Sequence, residues 1–324
     1  MTKLAVIAVG GNSLIANADH RSVADQYAAT VETCRHIVDL ICNGWQVVIT
    51  HGNGPQVGFI LRRSELARNE LHEVPLDACG ADTQGAIGYM FQRAIRNEYD
   101  ARLRDGTMPL HFTPPAPVTV ITQTLVDASD PAFSDPSKPI GSFMDEQTAR
   151  ERAEAEGWSV VEDAGRGWRR VVPSPLPSAI LEIDVIRRLV QSGFLVICCG
   201  GGGIPVVRNT NGLLEGVEAV IDKDLAGATL STLLAADLFL ISTAVPKVAL
   251  HFGQPDQRWL DSMTITEALT FNQEGHFLKG SMAPKIAAVL NFLIARPAAR
   301  AVITDPANIL SAANGSAGTQ IVSG

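Results

Sequence analysis

Residues 4–12 read Leu-Ala-Val-Ile-Ala-Val-Gly-Gly-Asn, an unbroken apolar run that stops on two glycines. A strand with one face in water alternates apolar and polar residues. A run without alternation suits a strand covered on both faces, as in a parallel sheet between helical layers. The run is too short to span a bilayer and shorter than the apolar core of a secretory leader, so a first buried strand is the better reading. Working outward, Ser22 stands as an N-cap before Val23, Tyr27, Val31, Cys34, Val38 and Ile41, spaced three or four apart, and Gly44 closes that helix. Residues 45–50 form the next strand, and His51-Gly52-Asn53-Gly54-Pro55 is a second glycine loop at its end. The unit is strand, helix, parallel strand.

The alternation continues. Helical periodicity runs through 55–68, 78–104, 179–191, 223–235, 264–271 and 282–294, and strands are expected at 118–122, 194–199, 219–221, 238–242 and 301–303. A third glycine loop, Gly200-Gly201-Gly202-Gly203, follows the strand at 194–199. The order predicts an open, mainly parallel α/β sheet. One stretch breaks it: 129–177 is rich in Pro, Gly, Asp and Arg and reads as an insert. Within it a helix at 145–156 lies beside a small hairpin, 159–162 and 169–172, turned at Gly165-Arg166-Gly167.

Composition narrows the function. Lys plus Arg number 26 against 34 Asp plus Glu, a formal charge of -8, which speaks against a nucleic-acid or membrane-surface binder. An anionic ligand gets no help from that overall field, so its positive groups must be gathered locally. The five cysteines, Cys34, Cys42, Cys79, Cys198 and Cys199, lack the paired spacing of zinc or redox sites and point to a reduced, cytoplasmic setting.

Ligands of open α/β sheets bind beyond the carboxyl ends of the strands, so three glycine loops there should converge on one crevice. Without a Cβ the backbone approaches a phosphate closely and aims N–H groups at its oxygens. Neither G-x-x-x-x-G-K-[ST] nor G-x-G-x-x-G is present, so neither a P-loop nucleotidase nor a dehydrogenase is favoured. Phosphoryl transfer needs positive charge around the migrating oxygens. Lys138, before a Pro-Ile-Gly turn, Lys223, in Asp222-Lys223-Asp224, and Lys285, after Pro284, can supply it, with Asp224 orienting Lys223. His51 and His111 have no partner spacing and read as structural.

The residues Ala8-Val9-Gly10-Gly11-Asn12, His51 to Gly58 (HGNGPQVG), Lys138-Pro139-Ile140-Gly141, Gly165 to Val172 (GRGWRRVV), Gly200 to Val206 (GGGGIPV), Gly216 to Leu225 (GVEAVIDKDL) and Gly280 to Lys285 resemble carbamate kinases, in the same order and over essentially the whole chain. The resemblance implies the amino acid kinase fold: a three-layer αβα sandwich with an open, mainly parallel sheet. It implies an acceptor-binding N-lobe at 1–214, an ATP-binding C-lobe at 215–324, and a small protruding subdomain at about 129–177. It further implies reversible phosphoryl transfer between ATP and carbamate, giving ADP and carbamoyl phosphate, with Mg2+ carried by the nucleotide, in a homodimer that makes ATP during nitrogen-compound catabolism.

By the same resemblance Gly10, Gly11, Asn12, Gly52, Asn53 and Gly54 bind the acceptor, and Gly201, Gly202, Lys223, Asp224 and Lys285 bind the nucleotide. Lys138, Lys223, Asp224 and Lys285 are the catalytic groups. Ala8 stands where relatives with larger acceptors carry a lysine, which favours carbamate. Ser142, Met144, Leu176 and Ala283 depart from the family pattern. Two other readings stay open: a kinase of the same superfamily with a larger acceptor, and a non-catalytic dimer.

Overall fold

The computed structural model describes residues 2–11, 22–163, 165–278 and 280–323. Eight strands make the main sheet, in the order Ser262–Thr264, Thr319–Val322, Arg300–Thr304, Leu238–Ser242, Leu4–Val9, Gln46–His51, Leu195–Ile197 and Pro117–Thr119. Neighbours are parallel except Arg300–Thr304 against Thr319–Val322. Leu4–Val9 lies at the centre and is buried along its whole length, as its unbroken apolar run requires.

Side chains alternate across that strand, and each face has its own core. Val6 and Ala8 join Phe239, Ile241, Leu230, Ile286, Val289 and Phe292 on one face, under the helices Lys223–Leu233 and Met282–Ala295. Ala5, Ile7 and Val9 join Cys34, Ile37, Ile87, Phe91 and Ile95 on the other, under Val23–Cys42 and Leu76–Arg104. Three layers result. Ser22 caps Val23–Cys42 in a reciprocal box with Asp25. No helix among the described residues is long and apolar enough to cross a membrane.

The protruding subdomain is an antiparallel sheet in the order Lys138–Met144, Trp168–Val172, Ser159–Glu162, with the helix Glu146–Glu156 packed on it. The expected hairpin is present. Lys138, however, opens a strand rather than preceding a turn: Lys138 pairs with Val172, and the ladder breaks between Ile140 and Met144, at Gly141. Two further expectations are corrected. Residues 179 and 180 end an edge strand, Pro177–Ile180, in a second sheet ordered Leu214–Gly216, Ile204–Arg208, Gln123–Val126, Pro177–Ile180, and the helix starts only at Ile183. Residues 219–221 form no strand. Ala219 and Ile221 are apolar because they are buried beneath the third glycine loop, where Gly202 abuts the Ile221 carbonyl.

Candidate active site

At the centre of the sheet the strand order reverses. From Leu4–Val9 the chain steps to Gln46–His51 on one side, and Leu238–Ser242 returns to the other. The segments leaving these three strand ends therefore spread apart and open a crevice, the usual ligand position in such sheets. The cleft there has a volume of about 390 Å3. Gly10 and Gly11, Gly52 to Gly54, Gly201, Lys138, Lys223, Asp224 and Lys285 all line it. Gly202 lies behind it, and Asn12 falls outside the described residues.

The loops sit tightly against one another. Gly10 N–H donates to the Ser242 carbonyl at 3.0 Å and Gly52 N–H to that of Val9 at 2.9 Å. A Cβ on Gly52 would come 2.6 Å from Gly11 N and 3.1 Å from Lys223 Cδ, so only glycine lets the first two loops and the lysine stem meet. Gly201 has φ +68°, and a Cβ there would overlap the Asn53 amide. The third loop thus backs the second, at the Gly10–Gly11 end of the cleft. Gln84 fixes it: the side-chain amide donates to the Gly200 and Thr122 carbonyls and accepts from Thr122 N–H.

Asn53 precedes the helix Gly54–Ala67 but spends its amide on Thr83 Oγ1 at 2.8 Å, leaving that helix without a side-chain cap. The helix Met282–Ala295 also lacks one. Uncapped helix N-termini suit anions. His51, read as structural, is buried behind the loops and stacked on Phe91; burial pushes its imidazole down to about 4 and keeps it neutral.

Three lysines from distant parts of the chain meet two aspartates. Asp224, almost wholly buried, takes Lys223 on one oxygen and Lys285 on the other, the latter at 3.1 Å. Both lysines are less exposed than a surface charge, and burial lowers the Lys223 ammonium, with Asp224 pulling it back up and Lys285 pushing it further down. Asp222 caps the helix Lys223–Leu233 and receives Lys138 at 2.8 Å. Burial pushes its carboxyl up, but the Lys138 charge and hydrogen bond, with Lys223 behind them, outweigh this and hold it at about 2. Asp222 was missed in the sequence, although an aspartate just before a helix is a cap signal. The far end of the cleft is apolar, with Val245, Ala249, Phe252, Leu278 and Met282, and Lys247 and His276 among them.

The described lining carries four lysines against two aspartates in a chain of net charge -8, so a locally positive cleft leads to an apolar slot. It suits a polyanion with a flat apolar head. Both aspartates are already engaged by lysines, and no group of three or more His, Cys, Asp or Glu side chains gathers as a metal cage among the described residues.

Comparison with known proteins gives one consistent answer. The model of the amino acid kinase family matches residues 3–305. The chain is 46% identical over 324 residues to the carbamate kinase of Thermococcus kodakarensis, covering 99% of each. It is 45% identical over 325 residues to the carbamate kinase-like protein YahI of Escherichia coli, again 99% of each. Among solved structures, the carbamate kinase from Giardia lamblia bound to AMP-PNP superposes with a TM-score of 0.89 at 40% identity, covering 99% of each chain.

Proposed function

Since the chain belongs to the amino acid kinase family, and within it to the carbamate kinases, we propose that the cleft transfers a phosphoryl group reversibly between ATP and carbamate. The observation that carries this is the meeting of Lys138, Lys223 and Lys285 on the half-buried Asp222 and the buried Asp224 beside the glycine loops. In the ATP-forming direction a β-phosphate oxygen of ADP attacks the phosphorus of carbamoyl phosphate. The new P–O bond forms as the bond to the carbamate oxygen breaks, and carbamate leaves. No covalent protein intermediate is needed; positioning and positive charge on the migrating oxygens do the work.

Each group has a place in that scheme. The apolar slot takes adenine, and Lys223 and Lys285 take the phosphates. Asp224 keeps the two ammonium groups aimed and apart from each other's repulsion. Gly10, Gly11, Gly52 and Asn53 line the acceptor end, where glycine backbone without a Cβ admits a small anion beside the uncapped start of the helix Gly54–Ala67, and Lys138 approaches from the subdomain. Because both aspartates already serve lysines, Mg2+ would enter on the nucleotide phosphates, where it neutralises charge. The nucleotide would then lie with the C-terminal part of the chain, where Lys247 and the start of the helix Met282–Ala295 line the cleft, and the acceptor at the loops of the N-terminal part.

The departures from the family pattern leave these groups intact. Ala283 sits inside a helix, where alanine is preferred to glycine. Ser142 and Met144 line a separate cavity between the subdomain and the helix Gly54–Ala67, and Leu176 is exposed away from the cleft. Ala8 is fully buried in the core, so no charge arrives from the first strand, as a small acceptor allows. The reading extends to a homodimer working in the cytoplasm, on the family resemblance.

The test is direct. Purified protein with ADP, carbamoyl phosphate and Mg2+ should make ATP, read by luciferase, and should not phosphorylate acetylglutamate or UMP from ATP. Preference for either larger acceptor would overturn the assignment, and light scattering checks the dimer.

A further inference from the structure

We infer that Asp222 is a positioning residue that ties Lys138, and with it the protruding subdomain, to the helix carrying Lys223 and Asp224. The inference rests on the phosphoryl-transfer reading of the cleft and gives Asp222 a role beyond capping its helix. The two carboxylate oxygens divide the task. Oδ1 accepts from the backbone N–H of Asp224 at 2.9 Å and of Leu225 at 3.3 Å. Those bonds fix the plane of the carboxylate, and Oδ2 is left to meet Lys138 Nζ at 2.8 Å, across 84 residues of sequence.

Lysine has a long, freely rotating stem, and the Lys138 side chain is still 35% exposed. Among the described residues Asp222 is the one ion-pair partner of its ammonium, and the other charge pairs joining the subdomain to the body, Arg68 with Glu156, Arg152 with Glu65 and Arg170 with Glu218, have no partner lining the cleft. Glu218 is well exposed, and pairs of that kind contribute little. Asp222, at 14% exposure, is the better-shielded anchor. One carboxylate therefore aligns an acceptor-side lysine with the helix start that receives the nucleotide phosphates, before either substrate arrives. Such alignment lowers the barrier by removing orientational freedom ahead of the chemical step.

The cap function alone does not require a charge, because asparagine caps a helix as well as aspartate. Asp222→Asn thus keeps the helix start and removes the attraction for Lys138. The experiment compares wild type, Asp222→Asn, Lys138→Ala and the double variant by steady-state ATP formation, with hydrogen–deuterium exchange on each. Asp222→Asn should lower kcat about tenfold and leave the KM for ADP within about twofold, and in the Lys138→Ala background it should cost nothing further. Amides of Lys138–Met144 and Trp168–Val172 should exchange faster in Asp222→Asn, while those of Lys223–Leu233 stay protected. Wild-type turnover in Asp222→Asn, multiplying losses in the double variant, or faster exchange in Lys223–Leu233 without change in the subdomain strands would each overturn the inference. If wild type makes no ATP, the proposed function falls, while the exchange data still decide whether Asp222 holds the subdomain.

Discussion

Lys223 and Lys285 share one carboxylate, and that sharing decides what each is worth. Replacing either with alanine should lower turnover on the order of 10² to 10³, the usual cost of losing one preorganised group that stabilises transition-state charge. The remaining lysine still neutralises Asp224, so both variants should fold, which circular dichroism checks beside the rate. Near-normal turnover in either would return that lysine to a purely structural pairing. His51 carries a pH dependence of known sign. Its folded value, about 4, lies below the ordinary 6.5, so the unfolded chain takes up the proton first as pH falls. The His51 contribution to stability is therefore whole above about pH 6.5 and is lost as pH falls towards 4, by on the order of 3 kcal/mol. Thermal melts from pH 7 to 4 should show a steeper fall in Tm for wild type than for His51→Phe; parallel curves would remove His51 from the acid response.

At the level of elements, the glycine loops sort by what surrounds them. Gly52→Ala presses a methyl on the backbone of Gly11 and on the Lys223 stem, so it should destabilise by about 1–3 kcal/mol and shift Lys223 enough to remove most activity. Gly54→Ala meets nothing within 4 Å at the start of its helix and should leave the melting temperature almost unchanged. Equal melting temperatures for the two would show that the loops do not touch as described. These loops were legible in the sequence because each ends an apolar run, and Leu238–Ser242 agrees with its expected bounds to the residue. What failed to show was short or two-sided. Pro177–Ile180 has four residues, too few for alternation to declare itself, and its Ala179-Ile180 continues smoothly into the helical pattern beyond. Lys138–Met144 hides behind a proline and a glycine, which mark turns in most settings but here accompany a break in the ladder. The lysines were legible as candidates. Their meeting on Asp222 and Asp224 was not, since it depends on segments 84 and 61 residues apart closing over one helix start.

For the molecule as a whole, the proposed function has the subdomain reach only the acceptor while the body also holds the nucleotide, so the two contributions should separate. Lys138→Ala should abolish most turnover yet leave ADP affinity nearly unchanged in calorimetric titration, because the apolar slot and the phosphate lysines lie with the C-terminal part; an equal loss of both would refute a distinct acceptor-side role. The subdomain closing over the cleft would also shield carbamoyl phosphate from water. The order of the main sheet has a different consequence, for the chain as it is made. Gln46–His51 follows Leu4–Val9 closely in the chain, so one of that strand's two edges finds its partner soon after synthesis. Its other edge must wait for Leu238–Ser242, about 190 residues after that partner. At about 5–20 residues per second, that is roughly 10–40 seconds during which six consecutive apolar residues present unpaired backbone groups to the cell. The nascent protein is therefore a natural client for holding chaperones, and a chain ending at residue 214 should accumulate in the insoluble fraction rather than as a free-standing acceptor lobe.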